Sequence, residues 1–457
     1  MRLGYKHSDT NIDNNEDASL STDALKIVDI LADDPFITQR KIVEQLNFDI
    51  NYYKKLVSEI RNSNSAQQKI LYGGLGTKYW INTIIPLLES GSLQSAIEHR
   101  YMYPNRIGLY TGLSCMFYCG FCGRNPVAKY EKRYAEIGRD FFYQIIDQDP
   151  KTDINWQDRF RISGGLEPLT NPYLGDIITY GAKSGYNMQL YTNGNMMTSK
   201  YLDKHPGMLD LEAVRFSLYG VDKESAYAVT KNTQSFTNII ENIIEYKKRA
   251  VKTKVGINWI ILPGHVEQVK KLLSVINHIN ESCQTPIDFV TLREDFSQNI
   301  RTISDHERLE LIEIFKLIDD FKKRWNTHFD LGYALEPLKH GKNVGSLRMI
   351  NWDEMILESF PQVSVAADVK GNVYVYHESG FLDRPGSNRY IIGNIKNSSI
   401  EQVTKTFVES GKKIKALPQD VGFLDAFDHV ISLLINQARD DSSFGIDWLN
   451  GPVKSRK

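Results

Sequence analysis

The feature that most constrains this sequence is a cluster of three cysteines, Cys115, Cys119 and Cys122, spaced C-x3-C-x2-C. The chain has 457 residues and only four cysteines, and the fourth, Cys283, lies far away in the sequence. Thiolates are the ligands that iron-sulfur centres select, and three of them can hold three irons of a [4Fe-4S] cluster. The fourth iron would then lack a protein ligand and could bind a small molecule.

Two other interpretations of the cysteine cluster are a zinc site and a group of buried structural thiols. Zinc ribbons use four ligands, usually as two separated pairs. The sequence contains no second pair of cysteines. The spacing and its context favour the iron-sulfur interpretation over both alternatives.

The composition is that of an enzyme without a strongly charged partner. The chain has 55 basic and 56 acidic side chains, which predicts neither a nucleic acid nor an anionic membrane as a partner. No stretch approaches the roughly 18 apolar residues of a membrane helix. Residues 1–20 are polar, without the apolar run of a signal peptide, and we expect a disordered arm. Few cysteines and an oxygen-sensitive cluster predict a reducing cytoplasm.

Residues 21–83 predict a small helical domain. Apolar residues at helical spacing indicate three helices, the second capped by Thr38 and the third by Asp49. Two short strands, 70–72 and 78–81, would complete a winged helix. Eight basic and seven acidic side chains lie in this region, which is far from the basic footprint of a DNA-binding domain. We therefore expect it to pack on the enzyme or on a partner.

Residues 84–300 form the predicted catalytic domain. After a helical connector, strand and helix patterns alternate, which predicts a parallel sheet and an α/β fold. In parallel barrels, ligands gather at the C-terminal ends of the strands. The six candidate strands are 106–110, 159–163, 188–192, 213–218, 254–261 and 288–292.

The cysteine cluster follows the first strand and resembles the signature of the radical S-adenosylmethionine (SAM) superfamily, including Phe121 before the last cysteine. The resemblance implies a partial (β/α)6 barrel. It also implies one [4Fe-4S] cluster on Cys115, Cys119 and Cys122, with SAM on the open iron and an electron donor such as flavodoxin or ferredoxin. SAM cleavage would release a 5′-deoxyadenosyl radical, so the cofactors carry the chemistry and the protein orients them.

Turns after the next two strands also resemble SAM-binding elements of the superfamily. Gly164, Gly165 and Glu167 lie in a turn similar to its Gly-Gly-Glu-Pro element, in which backbone and acid receive the SAM amino group. Leu166 departs from that pattern. After the third strand, Thr192-Asn193-Gly194 resembles the Thr-Asn-Gly turn.

Alternation places Arg215 and Ser217 on one face of the fourth strand and Asn258 on one face of the fifth. In the superfamily these strands contact SAM through a serine and near the adenine. Arg215 could equally face outward and pair with an acid. The residues that the resemblance assigns to SAM are Phe121, Gly164, Gly165, Glu167, Thr192, Asn193, Ser217 and Asn258.

Three charged residues, Arg293, Glu294 and Asp295, end the sixth strand. They are typical of a solvated loop. At the mouth of a barrel they would also suit a polyhydroxylated substrate or the SAM carboxylate. The planar guanidinium of Arg293 suits a carboxylate or a phosphate.

Residues 301–457 form a predicted C-terminal extension. The patterns indicate a helix at 304–323, a short strand near 331–335, and a β-hairpin at 363–377. A further helix opens near Ser398. The arrangement resembles the extension of peptide-maturing radical SAM enzymes, but it has no cysteine, so the chain can hold only one cluster without subunit sharing.

This cysteine-free extension resembles a narrower group, together with the segments 217–220 and 292–295. The group comprises the radical SAM enzymes of sugar and antibiotic biosynthesis, namely the ammonia-lyase of 4-amino-4,6-dideoxy nucleotide sugars and the aminoglycoside diol-dehydratases. The resemblance implies hydrogen abstraction from a sugar, followed by deamination or dehydration.

Such a reaction implies a base, since the α-hydroxyalkyl radical must lose its hydroxyl proton before it sheds the neighbouring group. The candidates are Asp295, Tyr376, His377 and Glu378. A nucleotide-sugar diphosphate would need cationic contacts, for which Arg293, Arg384 and Arg389 are available, whereas a cationic aminoglycoside would favour the acids.

Two alternative functions are kept. The first is a radical SAM peptide-modifying enzyme that uses the winged helix to hold a leader peptide. The second is a DNA-binding iron-sulfur regulator. Cys283 precedes the sixth strand, which predicts a position at the wrong end of the barrel for catalysis.

Overall fold

The fold is described from a computed structural model. The residues described are 20–33, 39–61, 63, 66, 84–124, 127–154, 156–262, 264–294, 304–331, 335, 358–376, 379–380, 382–384, 386–417 and 426–440.

The centre of the molecule is a ten-stranded sheet with the order β10-β9-β8-β1-β2-β3-β4-β5-β6-β7. Neighbouring strands from β1 to β7 are parallel, and β8 lies parallel to β1 on its other side. The pairs β8–β9 and β9–β10 are antiparallel. The strands are β1 (Arg106–Tyr110), β2 (Phe160–Ile162), β3 (Gln189–Thr192), β4 (Ala213–Ser217), β5 (Lys254–Ile261), β6 (Phe289–Glu294), β7 (His328–Asp330), β8 (Ser364–Asp368), β9 (Asn372–Val375) and β10 (Ile391–Asn394).

Helices connect the parallel strands. In chain order they are α1 (Thr22–Asp33), α2 (Gln39–Leu46), α3 (Ile50–Arg61), α4 (Ile85–Glu89), α5 (Ser92–Ile97), α6 (Arg133–Asp147), α7 (Leu174–Lys183), α8 (Ser199–Lys204), α9 (Lys223–Thr230), α10 (Ser235–Arg249), α11 (Gln268–Cys283), α12 (Asp305–Trp325), α13 (Ile400–Glu409) and α14 (Ala426–Asp440).

The two faces of the sheet differ in chemistry. Val214 and Phe216 of β4 are buried with Ile243 and Tyr246 of α10 in one large apolar core. Arg215 and Ser217 alternate with them and are half-buried. We call the side of the sheet that carries these two residues the polar face. The strand register adds Arg106, Arg161, Gln189, Tyr191, Asn258, Thr291 and Arg293 to that face.

The six predicted strands of the catalytic domain are confirmed, with ends that differ by at most a few residues. The predicted hairpin is also confirmed by the antiparallel pair β8–β9. A short strand forms at His328–Asp330, just before the predicted range 331–335, of which Leu331 is in no strand, Leu335 is helical and 332–334 lie outside the described residues. Asn326, with φ 52°, ends α12 in the left-handed conformation, so the chain reaches the sheet immediately afterwards.

The N-terminal region contains the three predicted helices, α1 to α3, packed around a cluster that includes Ile27, Tyr53 and Ile60. Asp49 caps α3 as predicted, since its carboxylate accepts from the backbone N–H of Asn51 at 2.8 Å. Thr38 and the predicted wing strands lie outside the described residues.

The helices of the described residues include none that is long and apolar enough to cross a membrane.

Candidate active site

The cysteine loop follows β1 and is fixed by hydrogen bonds to the turn after β2. The Thr170 hydroxyl accepts from the backbone N–H of Leu113 at 2.9 Å and of Ser114 at 3.1 Å. The N–H of Glu167 donates to the carbonyl of Ser114 at 2.9 Å. The Asn171 amide donates to a carbonyl at the start of the loop. The carboxyl ends of β1 and β2 are therefore held together.

The three cysteines of this loop form no disulfide and are half-buried. Burial raises the pKa of Cys115, and burial together with the neighbouring Cys122 and Cys115 raises the pKa of Cys119 to about 12. Among the described residues, no three His, Cys, Asp or Glu side chains form a ready-made metal-binding group. The thiols would have to converge and lose their protons to hold a metal cluster.

Arg124, two residues after the last cysteine, was not predicted from the sequence as a site residue. Its side chain is buried. Its positive charge lowers the pKa of Cys115 and Cys119, opposing the effect of burial, and acts on Glu167 in the same sense. It therefore favours negative charge in the cysteine loop.

The two glycines of the turn after β2 are required by its geometry. Gly164 and Gly165 have φ angles of 79° and 64°, which side chains other than glycine rarely adopt. A Cβ on Gly164 would lie 2.5 Å from the ring of Tyr110. These two residues therefore present backbone without side chains next to the cysteine loop.

The burial of Glu167 was not predicted from the sequence. The residue is only 5% exposed. Its Oε1 accepts from the Leu169 N–H at 3.1 Å and from the Thr192 hydroxyl, and its Oε2 accepts from the Asn193 N–H at 2.9 Å. Burial raises the pKa of Glu167, against the effect of these hydrogen bonds. The carboxylate ties the turn after β2 to the end of β3.

Asn193 brings the end of β3 to the cysteines. Its side-chain amide lies 3.8 Å from the Cys115 sulfur and 3.2 Å from the Met116 sulfur. The sequence motif Thr192-Asn193 thus contacts both Glu167 and the cysteine loop. These predicted residues come together.

The end of β4 reaches the same place. The rings of Phe121 and Tyr219 meet edge to face, 5.1 Å between centres. Burial and the nearby cysteines raise the pKa of Tyr219, while a hydrogen bond with Ser217 lowers it. Asn258 lies directly opposite Ser217 in the strand register and is mostly buried. All the residues predicted to bind SAM therefore lie at the carboxyl ends of β1 to β5.

The polar face also carries a cationic group that the sequence did not reveal. The Arg215 guanidinium lies 5.0 Å from the ring centre of Tyr191 and 4.7 Å from that of Phe289, and it donates to Gln189 at 3.1 Å. Arg215 therefore faces inward and is not an outward partner for an acid. Only the register between β3, β4 and β6 reveals these contacts.

Of the four residues predicted as candidate bases, the structure describes one, Tyr376. Tyr376 is buried, and its hydroxyl donates to the Ile414 carbonyl at 2.8 Å. Burial raises its pKa, so this position does not suit a base. Asp295, His377 and Glu378 lie outside the described residues, as does the side chain of Glu294.

The remaining predicted arginines lie on the sixth strand and in the extension. Arg293 is near the end of β6, on the polar face opposite Ile260. Arg384 is half-buried in a turn whose carbonyl accepts from the Ser387 N–H at 3.2 Å. Gly380, nearby in the chain, packs against the Tyr110 ring. Because Gly164 packs on the same ring, the extension approaches the turn after β2.

No family model matches the sequence. The chain is 33% identical over 427 residues to the dTDP-4-amino-4,6-dideoxy-D-glucose ammonia-lyase of Streptomyces venezuelae, an alignment that covers 91% of this chain and 87% of that protein. The chain belongs to this radical SAM enzyme family. The resemblance stated from the motifs is confirmed.

Two solved radical SAM structures are also similar to the chain. Streptococcus suis SuiB bound to S-adenosylmethionine is 13% identical, with a TM-score of 0.45, and the match covers 69% of this chain and 66% of that chain. BtrN in complex with AdoMet and 2-DOIA is 13% identical, with a TM-score of 0.30, and the match covers 68% of this chain and 89% of that chain.

Cys283 is not part of the cysteine cluster. It ends α11, and its sulfur lies 3.8 Å from the Ile244 carbonyl of α10. Both helices belong to the apolar side of the sheet, away from the polar face.

Proposed function

We propose that this chain is a radical SAM ammonia-lyase acting on an amino sugar carried by a nucleotide. Its product would be a deoxysugar of the kind used in antibiotic biosynthesis. The observation that carries the proposal is the 33% identity with a nucleotide-sugar ammonia-lyase over 91% of this chain. The alignment covers 91% of this chain, so the similarity is not confined to the cysteine motif.

The cofactors we infer are one [4Fe-4S] cluster on Cys115, Cys119 and Cys122, and SAM. The donor set fits, since three cysteines that form no disulfide lie on one loop beside a buried arginine, and iron-sulfur clusters are held by thiolates. When bound, the two cofactors supply the 5′-deoxyadenosyl radical that removes a hydrogen atom from the sugar. A protein of the flavodoxin or ferredoxin class would provide electrons. Reduced thiols favour the cytoplasm as its location.

The chain's own residues would form the SAM site at the carboxyl ends of β1 to β5 of a partial (β/α)6 barrel. The bare backbone of Gly164 and Gly165 leaves room for a close approach. Ser217 and Asn258 offer a hydroxyl and an amide from adjacent strands. Phe121, held by Tyr219, provides an apolar wall. We assign Glu167 to orienting Thr192 and Asn193, because its oxygens accept from both.

The substrate would lie beneath SAM on the polar face. Arginine binds phosphate and carboxylate with several N–H donors at once. Arg293 on the polar face is the first contact that we assign to the nucleotide diphosphate, and Arg384 in the extension is the second. Glu294, Asp295, His377 and Glu378 stay candidates for the sugar hydroxyls and amine.

The test is an anaerobic assay of reconstituted protein. Iron and sulfide are counted, and SAM, dithionite and dTDP-4-amino-4,6-dideoxy-D-glucose are added. We expect one cluster per chain, with 5′-deoxyadenosine and ammonia that depend on the sugar. Cys119→Ala should abolish cluster and products. The absence of sugar-dependent 5′-deoxyadenosine in cluster-replete protein would contradict the proposal, and dehydration of an aminoglycoside diol would replace it.

A further inference from the structure

Tyr191 occupies a special place on the polar face. In the strand register it lies beside Arg215 of β4. The same row continues through Gly256 of β5 to Phe289 of β6. The Arg215 guanidinium lies over both the Tyr191 ring and the Phe289 ring, and its hydrogen bond to Gln189 fixes its direction. The phenol is thus held in one orientation within the sheet.

The strongest charge effects on the pKa of Tyr191 come from four arginines. They come from four strands: Arg106 from β1, Arg161 from β2, Arg215 from β4 and Arg293 from β6. Between them, β5 places Lys254, Gly256 and Asn258 on this face, and Lys254, at the start of the strand, pairs with Glu212 at 3.1 Å. Burial raises the pKa of Tyr191, but the arginines outweigh it and the pKa is lowered overall. The surroundings favour the phenolate.

Arg161 shows that this cationic group is not fully used by the protein itself. Its Nε is buried and has no hydrogen-bond partner among the described residues. No carboxylate among the described residues forms an ion pair with it. A buried donor without a partner costs free energy, so such atoms often mark places where a ligand or an ion completes the network.

The position of Tyr191 relative to the SAM site is fixed by its strand. Side chains two residues apart on a strand share a face and are separated by roughly 7 Å. Tyr191 precedes Asn193 by two residues, and the Asn193 amide contacts the Cys115 sulfur at 3.8 Å. Tyr191 therefore lies one layer below the cysteine loop, at the level where a substrate beneath SAM would present its reacting carbons.

We propose that Tyr191 is the general base that removes the hydroxyl proton of the substrate radical. The inference rests on the proposed ammonia-lyase function. After hydrogen abstraction, the carbinol carbon carries the unpaired electron and its hydroxyl is far more acidic than an ordinary alcohol. The O–H bond breaks, and the proton goes to the Tyr191 phenolate oxygen, which becomes a phenol.

The remaining electrons then balance within the substrate. A carbonyl forms at the carbinol carbon while the neighbouring C–N bond breaks, and its electron pair leaves on nitrogen as ammonia from the ammonium group. The unpaired electron stays on the carbon that held the nitrogen. One electron from the flavodoxin or ferredoxin class of donor, together with one proton, completes the product.

Tyr219 and Tyr376, two other tyrosines near the site, do not suit this role. Burial and the cysteines raise the pKa of Tyr219, and Tyr376 is bound to a carbonyl. A general base is most effective when its pKa is close to the working pH, and it contributes about 100-fold to 10,000-fold in rate. The four arginines shift Tyr191 in that direction.

The decisive variant is Tyr191→Phe, with Tyr180→Phe as the matched control. Tyr180 lies on α7, where its hydroxyl donates to Asp147 on the exposed side. Ammonia and 5′-deoxyadenosine are measured in the same anaerobic reaction. We expect Tyr191→Phe to form sugar-dependent 5′-deoxyadenosine while ammonia per 5′-deoxyadenosine falls about 100-fold, with little change in KM. The control should behave as the wild type.

A second measurement does not depend on turnover. Tyrosines labelled with 13C at the ring carbon that bears the hydroxyl are titrated by NMR in the unreconstituted protein. One resonance should ionise below the others, disappear in Tyr191→Phe, and remain in Tyr180→Phe. In Arg161→Gln it should ionise at higher pH, because one cation that stabilises the phenolate is lost, and the rising limb of ammonia release should shift the same way.

The outcomes separate the inference from the function on which it rests. A wild-type protein that makes no ammonia from the sugar defeats both. A wild-type lyase whose Tyr191→Phe variant keeps the normal ratio of ammonia to 5′-deoxyadenosine defeats the inference alone. If Tyr191→Phe does not fold, an Arg161→Gln variant with unchanged tyrosine titration and pH profile also overturns it.

Discussion

The two ends of the parallel strands use arginine in opposite ways. At the N-terminal end, Arg159 precedes β2 and is fully buried, with its guanidinium bound to the carboxylates of Asp149 and Asp153 and to a backbone carbonyl. Two residues later on the same strand, Arg161 has a buried Nε without a partner in the part of the chain that the structure describes. One arginine is saturated by the protein, and the other is left open.

This difference separates architecture from function within a single strand. A buried charge with complete hydrogen bonds fixes the entry of β2 into the sheet, and removing one member leaves the others uncompensated. An incompletely satisfied cation costs stability and persists where a ligand completes it. The entry of β2 into the sheet is thus built for stability, and we expect the polar face to serve binding.

The largest effect should come from the saturated arginine. Arg159→Met leaves Asp149 and Asp153 buried without their cation, and we expect a loss of about 3–5 kcal/mol in the free energy of unfolding. Denaturant unfolding of the unreconstituted protein measures this. A loss below about 1 kcal/mol would mean that the carboxylates find water or other partners, and the contrast with Arg161 would fail.

A smaller loss should follow at the opposite end of the sheet, where Glu167 is a saturated acid. Thr192→Val removes the hydroxyl that donates to its Oε1, and we expect a loss of about 2 kcal/mol at neutral pH, since hydrogen bonds to charged groups are worth about 1.5–3 kcal/mol. Thr179→Val is the control, because that hydroxyl donates to Asp210 at an exposed position. Its effect should stay within about 0.5 kcal/mol.

The pH dependence of the Thr192→Val effect has a definite sign. Burial raises the pKa of Glu167 in the folded protein, so its protonated form is favoured by folding below that pKa. As pH falls through the raised pKa towards the ordinary value of a glutamic acid, the carboxylate becomes neutral and needs the lost donor less. The difference between variant and wild type should therefore shrink on acidification. A difference that grows would contradict the burial argument.

Substitution of Arg161 should affect activity more than stability. Arg161→Gln removes a cation that has no carboxylate partner in the described part of the chain, so we expect the free energy of unfolding to change by less than about 1 kcal/mol in either direction. Sugar-dependent ammonia release should fall. If Arg161→Gln destabilised the protein as much as Arg159→Met, both arginines would be structural and the distinction between the two ends would be lost.

Local patterns were sufficient for the elements of the fold. Alternation and turn residues predicted six strands of the sheet and the β8–β9 hairpin, and the helical pattern from residue 304 predicted the start of α12. The pairing of β8 with β1 was not predicted, because it joins strands more than 200 residues apart and the sequence carries no local signal for it. The position of β7 was not predicted accurately for a related reason, since it is determined by the pairing of β7 with β6.

The candidate site also divides into features that local motifs predicted and features that only the folded chain reveals. Motif spacing identified the cysteines and the turns after β2 and β3. It did not reveal that Glu167 is buried, because the donors that satisfy it come from β3. Tyr191 was passed over for a comparable reason. The lowering of its pKa depends on arginines from four other strands, and only the strand register of the folded chain brings them together.

The smallest effect concerns the fourth cysteine. Cys283 ends α11 among the outer helices, where Lys247 and Lys248 lie close enough to influence its thiol, and its sulfur makes one weak contact with a carbonyl. Cys283→Ala should therefore change the free energy of unfolding by less than about 1 kcal/mol and leave iron content and ammonia release unchanged. Cys119→Ala makes the same substitution in the cysteine loop on the polar side, and it should abolish both the iron content and the ammonia release. A Cys283→Ala variant that keeps its cluster but releases no ammonia would show that this thiol reaches the substrate, and that chemistry is not confined to the polar face.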